Sequence, residues 1–222
     1  HCHVEATEHI QMGMVGSLYI HPKQDGTPFT YNSKTYTKFA YNDGDGSTGY
    51  DKEYPIQLGS LDSNFHDQHI AIQPLPFAAM SDNYPLLNGR GYPDTINPGV
   101  IETDGGFGAL PSQKQNAKIT ATAGERVLLR LSNLGVMRFY TLGSTIPMTV
   151  VGHNAKQLRG PTGTNLYYDT NSVTLGGGES IDVILNTAGI APGTYFLYTT
   201  NLNFLSNDGE DFGGMMTEIT IQ

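Results

Sequence analysis

The sequence is poor in cysteine, in basic residues and in long apolar runs. Its 222 residues include one cysteine, no tryptophan, and 12 lysines and arginines against 21 aspartates and glutamates. A single cysteine, Cys2, excludes an intrachain disulfide framework and a zinc site built from several thiolates. The formal net charge of −9 disfavours nucleic acid and anionic membranes as partners, because the field of the protein repels phosphates, and it favours cations. No apolar run reaches the ~18 residues that a transmembrane helix needs.

The sequence is instead rich in glycine and in short β-branched or aromatic segments that are bounded by turn residues. Strands spaced in this way predict an all-β fold, either a β-sandwich or a Greek-key barrel. No segment shows a sustained helical stripe of apolar residues with caps. The predicted strands lie within residues 16–22, 53–62, 117–133, 147–154, 171–185, 193–200 and 215–222.

The chain divides into three parts by composition. Residues 23–49 are polar and rich in turn residues, which is typical of a connector between domains. Residues 50–222 are long enough to form one β-domain. Residues 1–22 are too few for a domain, so we expect them to supply the last loop and strand of a domain that precedes them.

A weak internal repeat suggests two domains of one kind. When the end of the chain is aligned with its beginning, the second copy lacks the cysteine and the histidines, so we expect it to bind no metal. The alignment pairs Met215 with Met14, Glu210 with His9, and Thr199, Thr200 and Asn201 with His1, Cys2 and His3.

The opening stretch, HCHVEATEHIQMGM, combines side chains that bind soft metals. If its first residues lie on a strand end, alternation places Cys2 on one face and His1 and His3 on the other. A thiolate and two imidazoles arranged in this way can serve two different metal centres. The two centres would then be joined by a short covalent route.

Cys2 begins the pattern C-x6-H-x4-M, which His9 and Met14 complete. A thiolate, imidazoles and a weak thioether form the soft trigonal site of blue copper. The site requires a second imidazole, which we expect from an earlier strand outside this sequence. Met12 is the alternative axial ligand, but the spacing and the repeat favour Met14.

This stretch resembles the copper-ligand motif of the multicopper oxidases, and the chain resembles a piece of such an enzyme that starts at the HCH motif. The resemblance implies that Cys2, His9 and Met14 bind type-1 copper. It also implies that His1 and His3 bind the type-3 pair of a trinuclear copper cluster. The common laccase spacing is C-x4-H-x4-M, so this sequence has two additional residues between the cysteine and the histidine.

Three later segments resemble the middle, copper-free cupredoxin domain of the same family. The resemblance therefore implies a cupredoxin-like Greek-key fold for residues 50–222, with residues 1–22 as the end of a copper-bearing cupredoxin domain. The segments are YDKEYPIQLGSLD, YPLLNGRGYPDTI and PMTVVGHNAKQLRGPTG with the strands that follow it.

The function implied by the resemblance is oxidation of a small reducing substrate, one electron at a time, coupled to reduction of dioxygen to water. The reductant is a metal ion, such as Mn²⁺, Fe²⁺ or Cu⁺, or a phenol. The missing copper ligands would come from other cupredoxin domains of the same protein or of another chain, so this chain alone is expected to be inactive. The family also implies an extracytoplasmic location.

Two alternatives stay open. A relative of the copper nitrite reductases is disfavoured, because those enzymes have a histidine on only one side of the cysteine. The other alternative is a non-catalytic cupredoxin-like module that holds domains together.

His66 and His69 form an H-x2-H pattern, but on a strand they would point to opposite faces, so we expect a structural or surface role for them.

Overall fold

The computed structural model of the protein describes residues 1–71, 74–104 and 109–222. Two α-helices lie among them, α1 (Ala6–Gln11) and α2 (Ser63–Ala71), and single 3₁₀ turns cover Phe77–Ala79, Asp94–Ile96 and Leu202–Phe204. The strands are β1 (Phe29–Tyr31), β2 (Lys34–Tyr36), β3 (Lys52–Leu61), β4 (Tyr84–Leu87), β5 (Ile101–Asp104), β6 (Ala109–Ser112), β7 (Ile119–Ala121), β8 (Arg126–Asn133), β9 (Tyr140–His153), β10 (Lys156–Gln157), β11 (Tyr168–Leu175), β12 (Ser180–Asn186), β13 (Gly193–Thr199) and β14 (Met216–Ile221).

Most of the strands join one curled sheet that forms a half-barrel. The strand order along it is β4-β3-β8-β12-β9-β13-β14-β7, and β10 and β11 also pair with β9. The β3–β8 and β14–β7 pairs are parallel, whereas the other pairs in the sheet are antiparallel. The prediction of an all-β fold is confirmed.

The main hydrophobic core lies on the inner face of the curl. Along β14 every second residue is buried, as expected for a strand with one face on a core. Strand β8 is buried on both faces. The outer face is covered where Leu128 and Ile184 pack with Ala40 and Tyr50 in a second cluster.

The segment 23–49, predicted as a connector, is therefore packed against the sheet. Its β1–β2 hairpin leads to Phe39, which is fully buried. The following loop is held by the Asp43 carboxylate, which accepts hydrogen bonds from the backbone N–H groups of Gly46 and Thr48 at 2.8 and 2.7 Å. In this loop, hydrogen bonds to the Asp43 side chain take the place of a strand ladder. The domain boundaries stay predictions.

Arg90, in the NGR segment, organises a turn through backbone carbonyls, and no described acidic side chain pairs with it. Its side chain is 1% exposed, and its guanidinium donates to the backbone carbonyls of Asp94, Asn97, Gly99 and Gln113. A planar group with five donors can satisfy several carbonyls that would otherwise be buried without partners. The NGR segment thus fixes the path of the chain after β4.

Two local predictions are wrong. Residues 16–22 form no strand, because a strand needs a hydrogen-bonded neighbour and none of the described strands pairs with this segment. His66 and His69, considered on a strand, lie in α2. The Asp62 carboxylate accepts a hydrogen bond from the backbone N–H of Phe65 at 3.1 Å and caps this helix.

The helices of the described residues are too short or too polar to cross a membrane.

Candidate metal centre

Helix α1 folds the interval between Cys2 and His9. The segment contains alanine and glutamate, which favour helix, and it ends at Gly13, whose φ of +82° is the left-handed conformation typical of a helix end. The backbone N–H of Cys2 donates to the carbonyl of Met14 at 3.3 Å, and the N–H of Met14 donates to the carbonyl of His9 at 2.9 Å. These two bonds close the loop and bring positions 2, 9 and 14 together.

The side chains of Cys2 and His9 meet inside this loop. The Cys2 sulfur lies 3.0 Å from Nδ1 of His9, and the backbone N–H of Val4 donates to the sulfur at 3.4 Å. The hydrogen bond from Val4, followed by that from His9, lowers the pKa of Cys2 to about 7. The thiolate is the form that binds soft metals, so the loop favours the metal-binding state of the cysteine.

His1 and His3 lie side by side. Their rings stack with centroids 4.6 Å apart and planes 11° from parallel. Nδ1 of His1 is hydrogen-bonded to the backbone carbonyl of Cys2 at 2.7 Å. The two imidazoles are thus paired with each other, whereas the cysteine sulfur turns to His9.

The two methionines of the stretch have different surroundings. Met12 packs against the small hydrophobic cluster of Phe65, Leu75 and Met80 beneath α2. The Met14 side chain is 54% exposed, although its backbone closes the loop at Cys2. Met12 therefore contributes to packing, whereas Met14 closes the loop through its backbone and keeps an exposed side chain.

The Cys2–His9 pair fits a copper ion. Metal–sulfur and metal–nitrogen bonds of about 2.3 and 2.0 Å at a tetrahedral angle separate the two donor atoms by about 3.6 Å. The observed 3.0 Å needs only a small widening to admit a metal. Within the described part of the chain, His9 is the only imidazole that contacts the Cys2 sulfur, so a trigonal site needs one more nitrogen ligand.

The loop after β13 is closed in the same way as the loop of Cys2. The backbone N–H of Thr199 donates to the carbonyl of Met215 at 2.8 Å, and the N–H of Met215 donates to the carbonyl of Phe204 at 2.8 Å. A short helical turn, Leu202–Phe204, occupies the place of α1. The repeat seen in the sequence is therefore present in the backbone.

This closure corrects the residue pairing of the repeat. The second loop is longer, so an alignment anchored on the segment that follows it, with Ile219 and Ile221 laid on Leu18 and Ile20, assigns the wrong partners inside the loop. Hydrogen bonding instead pairs Thr199 with Cys2, Phe204 with His9, and Met215 with Met14.

The second loop is filled by apolar packing. Met215 is fully buried, and the ring of Phe204 meets the edge of Tyr140 with centroids 5.3 Å apart. A hydroxyl, a phenyl ring and a buried thioether do not form a soft metal site. The second loop thus shares its backbone path with the first loop but lacks the cysteine and the histidine of that loop.

Helix α2 covers the outer side of the first loop. His69 contacts the carboxylate of Glu8, which is only 7% exposed. At the N-cap of α1, Oε2 of Glu5 lies 3.4 Å from Nε2 of His9. The ligand atoms of Glu5, Glu8 and His9 all lie within 4.8 Å of one another.

The sequence reasoning missed the role of His69. Residues three apart lie on one face of a helix, so His66 and His69 face the same side rather than opposite sides. The signal that could have revealed the helix is Asp62, an N-cap residue directly before the segment.

The comparisons with known proteins identify the family. The profile of the family described as multicopper oxidase matches residues 77–221. This chain belongs to the multicopper oxidase family. No curated protein matches it. The predicted cupredoxin-like fold is confirmed by the likeness to solved multicopper oxidases.

Three solved structures illustrate the likeness. A blue copper oxidase from Nitrosomonas europaea has a TM-score of 0.57 and 17% identity, and the match covers 78% of this chain and 44% of that one. The multicopper oxidase mgLAC gives the same four values. The laccase from Botrytis aclada has a TM-score of 0.50 and 19% identity, with 78% of this chain and 30% of that one covered. This chain thus spans less than half the length of these proteins.

Proposed function

We propose that this chain is part of an enzyme that couples the oxidation of a small reductant at a type-1 copper to the reduction of dioxygen to water at a trinuclear copper cluster. The observation that carries the proposal is the contact between Cys2 and His9, 3.0 Å apart. Family membership supports copper as the metal and oxidoreductase chemistry as the activity.

Cys2 and His9 are the proposed type-1 ligands, with Met14 as the weak axial ligand. Bound copper would supply reversible one-electron chemistry at this position. The protein would keep the Cys2 thiol deprotonated and fix the His9 imidazole on α1. Met12 is packed in a hydrophobic cluster, so Met14 would be the methionine at the loop closure.

His1 and His3 are the proposed ligands of the type-3 copper pair. They flank Cys2 directly, so the backbone offers a route of few bonds between the two centres. Their rings lie side by side in nearly parallel planes, which supports a joint role for the two imidazoles. The remaining copper ligands would come from other cupredoxin domains of the same protein or of another chain.

The proposed organisation assigns residues 1–22 to the copper-bearing domain, residues 23–49 to the connector and residues 50–222 to a copper-free domain. The apolar packing of Phe204 and Met215 supports a structural role for that last domain. The proposed partners are dioxygen and a small reductant, and the proposed location is outside the cytoplasm.

The test uses the full-length protein. We expect bound copper, the intense absorption of a thiolate–copper bond and oxygen consumption with a reductant. A Cys2→Ser variant should lose the absorption and the oxygen consumption while keeping its circular dichroism spectrum. Thr199→Ser, at the equivalent place of the second loop, is the matched control and should keep both. A full-length protein that binds copper without this absorption would contradict the proposal.

A further inference from the structure

Helix α1 has little stability of its own. It spans six residues, Ala6–Gln11, and the side chain of its N-cap residue, Glu5, makes no capping hydrogen bond. A helix of fewer than about 12 residues is marginal in water even when its sequence favours helix. Contacts with the rest of the fold must therefore hold α1, and with it His9, in place.

The buried face of α1 is polar. Its two buried residues are Glu8 and Gln11, which lie three positions apart and so face the same side of the helix. Gln11 is 4% exposed. An amide buried without hydrogen bonds destabilises a fold, so the partners of Gln11 determine whether this face of α1 holds the helix in place.

Gln11 binds residues 50–222 at two points. Its Nε2 donates to Oδ1 of Asp82 at 2.9 Å, and its Oε1 accepts from the backbone N–H of Asp62 at 3.0 Å. Asp82 and Asp62 are 7% and 4% exposed, so water competes little for either bond. Because one amide group both donates and accepts, the two bonds fix the position and the orientation of the end of α1.

The partners of Gln11 are themselves held by hydrogen bonds. Ser60 donates to the other carboxylate oxygen of Asp82. The carboxylate of Asp62 accepts from the backbone N–H of Ser81 at 2.7 Å and also caps α2. The end of β3, the start of α2 and the segment before β4 thus meet around one side chain of α1. A satisfied buried network of this kind specifies one arrangement, whereas an apolar contact allows the helix to slide.

We propose that Gln11 is a positioning residue for the type-1 copper site, which keeps His9 beside Cys2 by fixing α1 against residues 50–222. This inference rests on the proposed function, since the copper ligands are part of that proposal. His9 lies two residues before Gln11, about 3 Å along the helix axis. A metal site needs its ligands within about 0.5 Å of the productive geometry. A helix of six residues meets this requirement only when its register is fixed.

The test reverses the direction of the hydrogen bond between Gln11 and Asp82 in the full-length protein. Gln11→Glu removes the donor and brings two carboxylates together, whereas Asp82→Asn alone keeps an acceptor for Gln11. In the double variant the new amide at position 82 can donate to the new carboxylate at position 11, so the bond is restored in the opposite direction. An oxygen at position 11 accepts from the N–H of Asp62 in every case.

Two measurements report on the position of α1. In the metal-free protein, the backbone N–H of Met12, which donates to the carbonyl of Glu8 at 3.0 Å, should exchange its hydrogen at least about tenfold faster in Gln11→Glu. In the copper-loaded protein, the thiolate–copper absorption should weaken in this variant, and a chelator should remove the copper of this band at least about tenfold faster. Asp82→Asn should change both rates by less than about threefold, and the double variant should return to the same range.

Gln24→Glu is the matched control. Gln24 makes the same pair of bonds within residues 23–49: its Nε2 donates to Oδ1 of Asp43 at 2.8 Å, and its Oε1 accepts from the backbone N–H of Gly44 at 3.0 Å. The change is chemically identical but is not at α1, so it should leave the exchange of Met12 and the copper absorption unchanged.

The outcomes separate this inference from the proposed function. A protein that shows the thiolate–copper absorption, with the same absorption and the same exchange at Met12 in Gln11→Glu, overturns the inference and leaves the proposed function standing. Losses that the double variant does not restore also overturn it, because the hydrogen bond is then not their cause. Faster, restorable exchange in a protein without that absorption supports Gln11 as the anchor of α1 and contradicts the proposed function.

A second variant covers the case in which Gln11→Glu does not fold. Gln11→Met removes both hydrogen bonds without adding a charge and keeps a side chain of similar length. It should show the same faster exchange at Met12 and the same weaker absorption, with the circular dichroism spectrum retained. Unchanged exchange and absorption in Gln11→Met overturn the inference.

Discussion

Thr199 holds the place in the second loop that Cys2 holds in the first. The backbone N–H of each residue donates to the carbonyl of a methionine that closes its loop, Met215 at 2.8 Å and Met14 at 3.3 Å. One loop therefore carries a thiolate beside an imidazole, and the other carries a hydroxyl beside a phenyl ring. The same backbone serves a loop of candidate metal ligands and a hydrophobic core.

The two methionines should differ in their effect on stability. Met215 is fully buried, whereas the Met14 side chain is 54% exposed. We expect Met215→Ala to lower the free energy of unfolding by roughly 2–5 kcal/mol, because it leaves a cavity in the core. Met14→Ala in the metal-free protein should change it by less than about 0.5 kcal/mol. Urea denaturation measures both, and equal losses would show that the loops do not differ in packing.

The Cys2 thiol should react as an acidic thiol in the metal-free protein. Its pKa is lowered to about 7, from an ordinary 9.0, by hydrogen bonds from Val4 and His9. The rate of alkylation follows the thiolate fraction, so it should rise as the pH increases and reach half its maximum near pH 7. His9→Ala should move this midpoint upward.

His3→Ala is the control for that measurement, because the His3 ring stacks on His1 rather than on the sulfur. Its midpoint should stay close to that of the unchanged protein. A midpoint near 9 in the unchanged protein would contradict the contact between Cys2 and His9.

Replacement of Arg90 by lysine should destabilise the protein despite the retained charge. The guanidinium is 1% exposed and donates to four backbone carbonyls. An ammonium group has a different donor geometry and leaves some of these carbonyls unpaired, at about 1–3 kcal/mol each. We expect a loss of at least about 3 kcal/mol in urea denaturation. Arg138→Lys, at an exposed position over the Phe204 ring, should cost less than about 1 kcal/mol.

Asp43 should contribute stability that disappears in acid. Burial opposes its ionisation, but hydrogen bonds from Gln24, Thr48 and Gly46 outweigh burial and lower its pKa below the ordinary 3.8. A carboxyl group with a lowered pKa in the folded state stabilises the fold above its unfolded pKa, and this contribution is lost as the pH falls through the folded pKa.

Thermal unfolding of Asp43→Asn tests this contribution. At pH 7 the variant should be less stable by roughly 1–3 kcal/mol, and the difference should narrow below about pH 4. Asp208→Asn, in an exposed turn, should behave like the unchanged protein at both pH values. A difference that stays constant from pH 7 to pH 3 would show that the charge of Asp43 is not involved.

Much of the fold could be predicted from the sequence because strands with one buried face carry a period of two. Strand β14 shows this alternation directly, and the turn residues that bound the strands are local signals. The prediction of a strand at residues 16–22 was wrong because pairing is not a local property. These residues have strand-forming side chains, but a strand exists only where another strand supplies hydrogen bonds.

The candidate site was predictable in its ligand types but not in its surroundings. The order of Cys2, His9 and Met14 is a property of the sequence, and so is the flanking pair of histidines. The contact between Glu8 and His69 joins residues far apart in the chain. It depends on helix α2, whose N-cap, Asp62, was not recognised.

The sequence by itself determined the all-β fold, the acidic charge and the set of soft ligands at the start of the chain, because composition, periodicity and spacing are local quantities. Only the tertiary structure decided which carboxylates lie beside His9, that residues 23–49 cover the outer face of the sheet, and that Thr199 rather than Thr200 matches Cys2. These features depend on hydrogen bonds and packing between distant segments, and the free energy of such contacts exists only once the chain is folded.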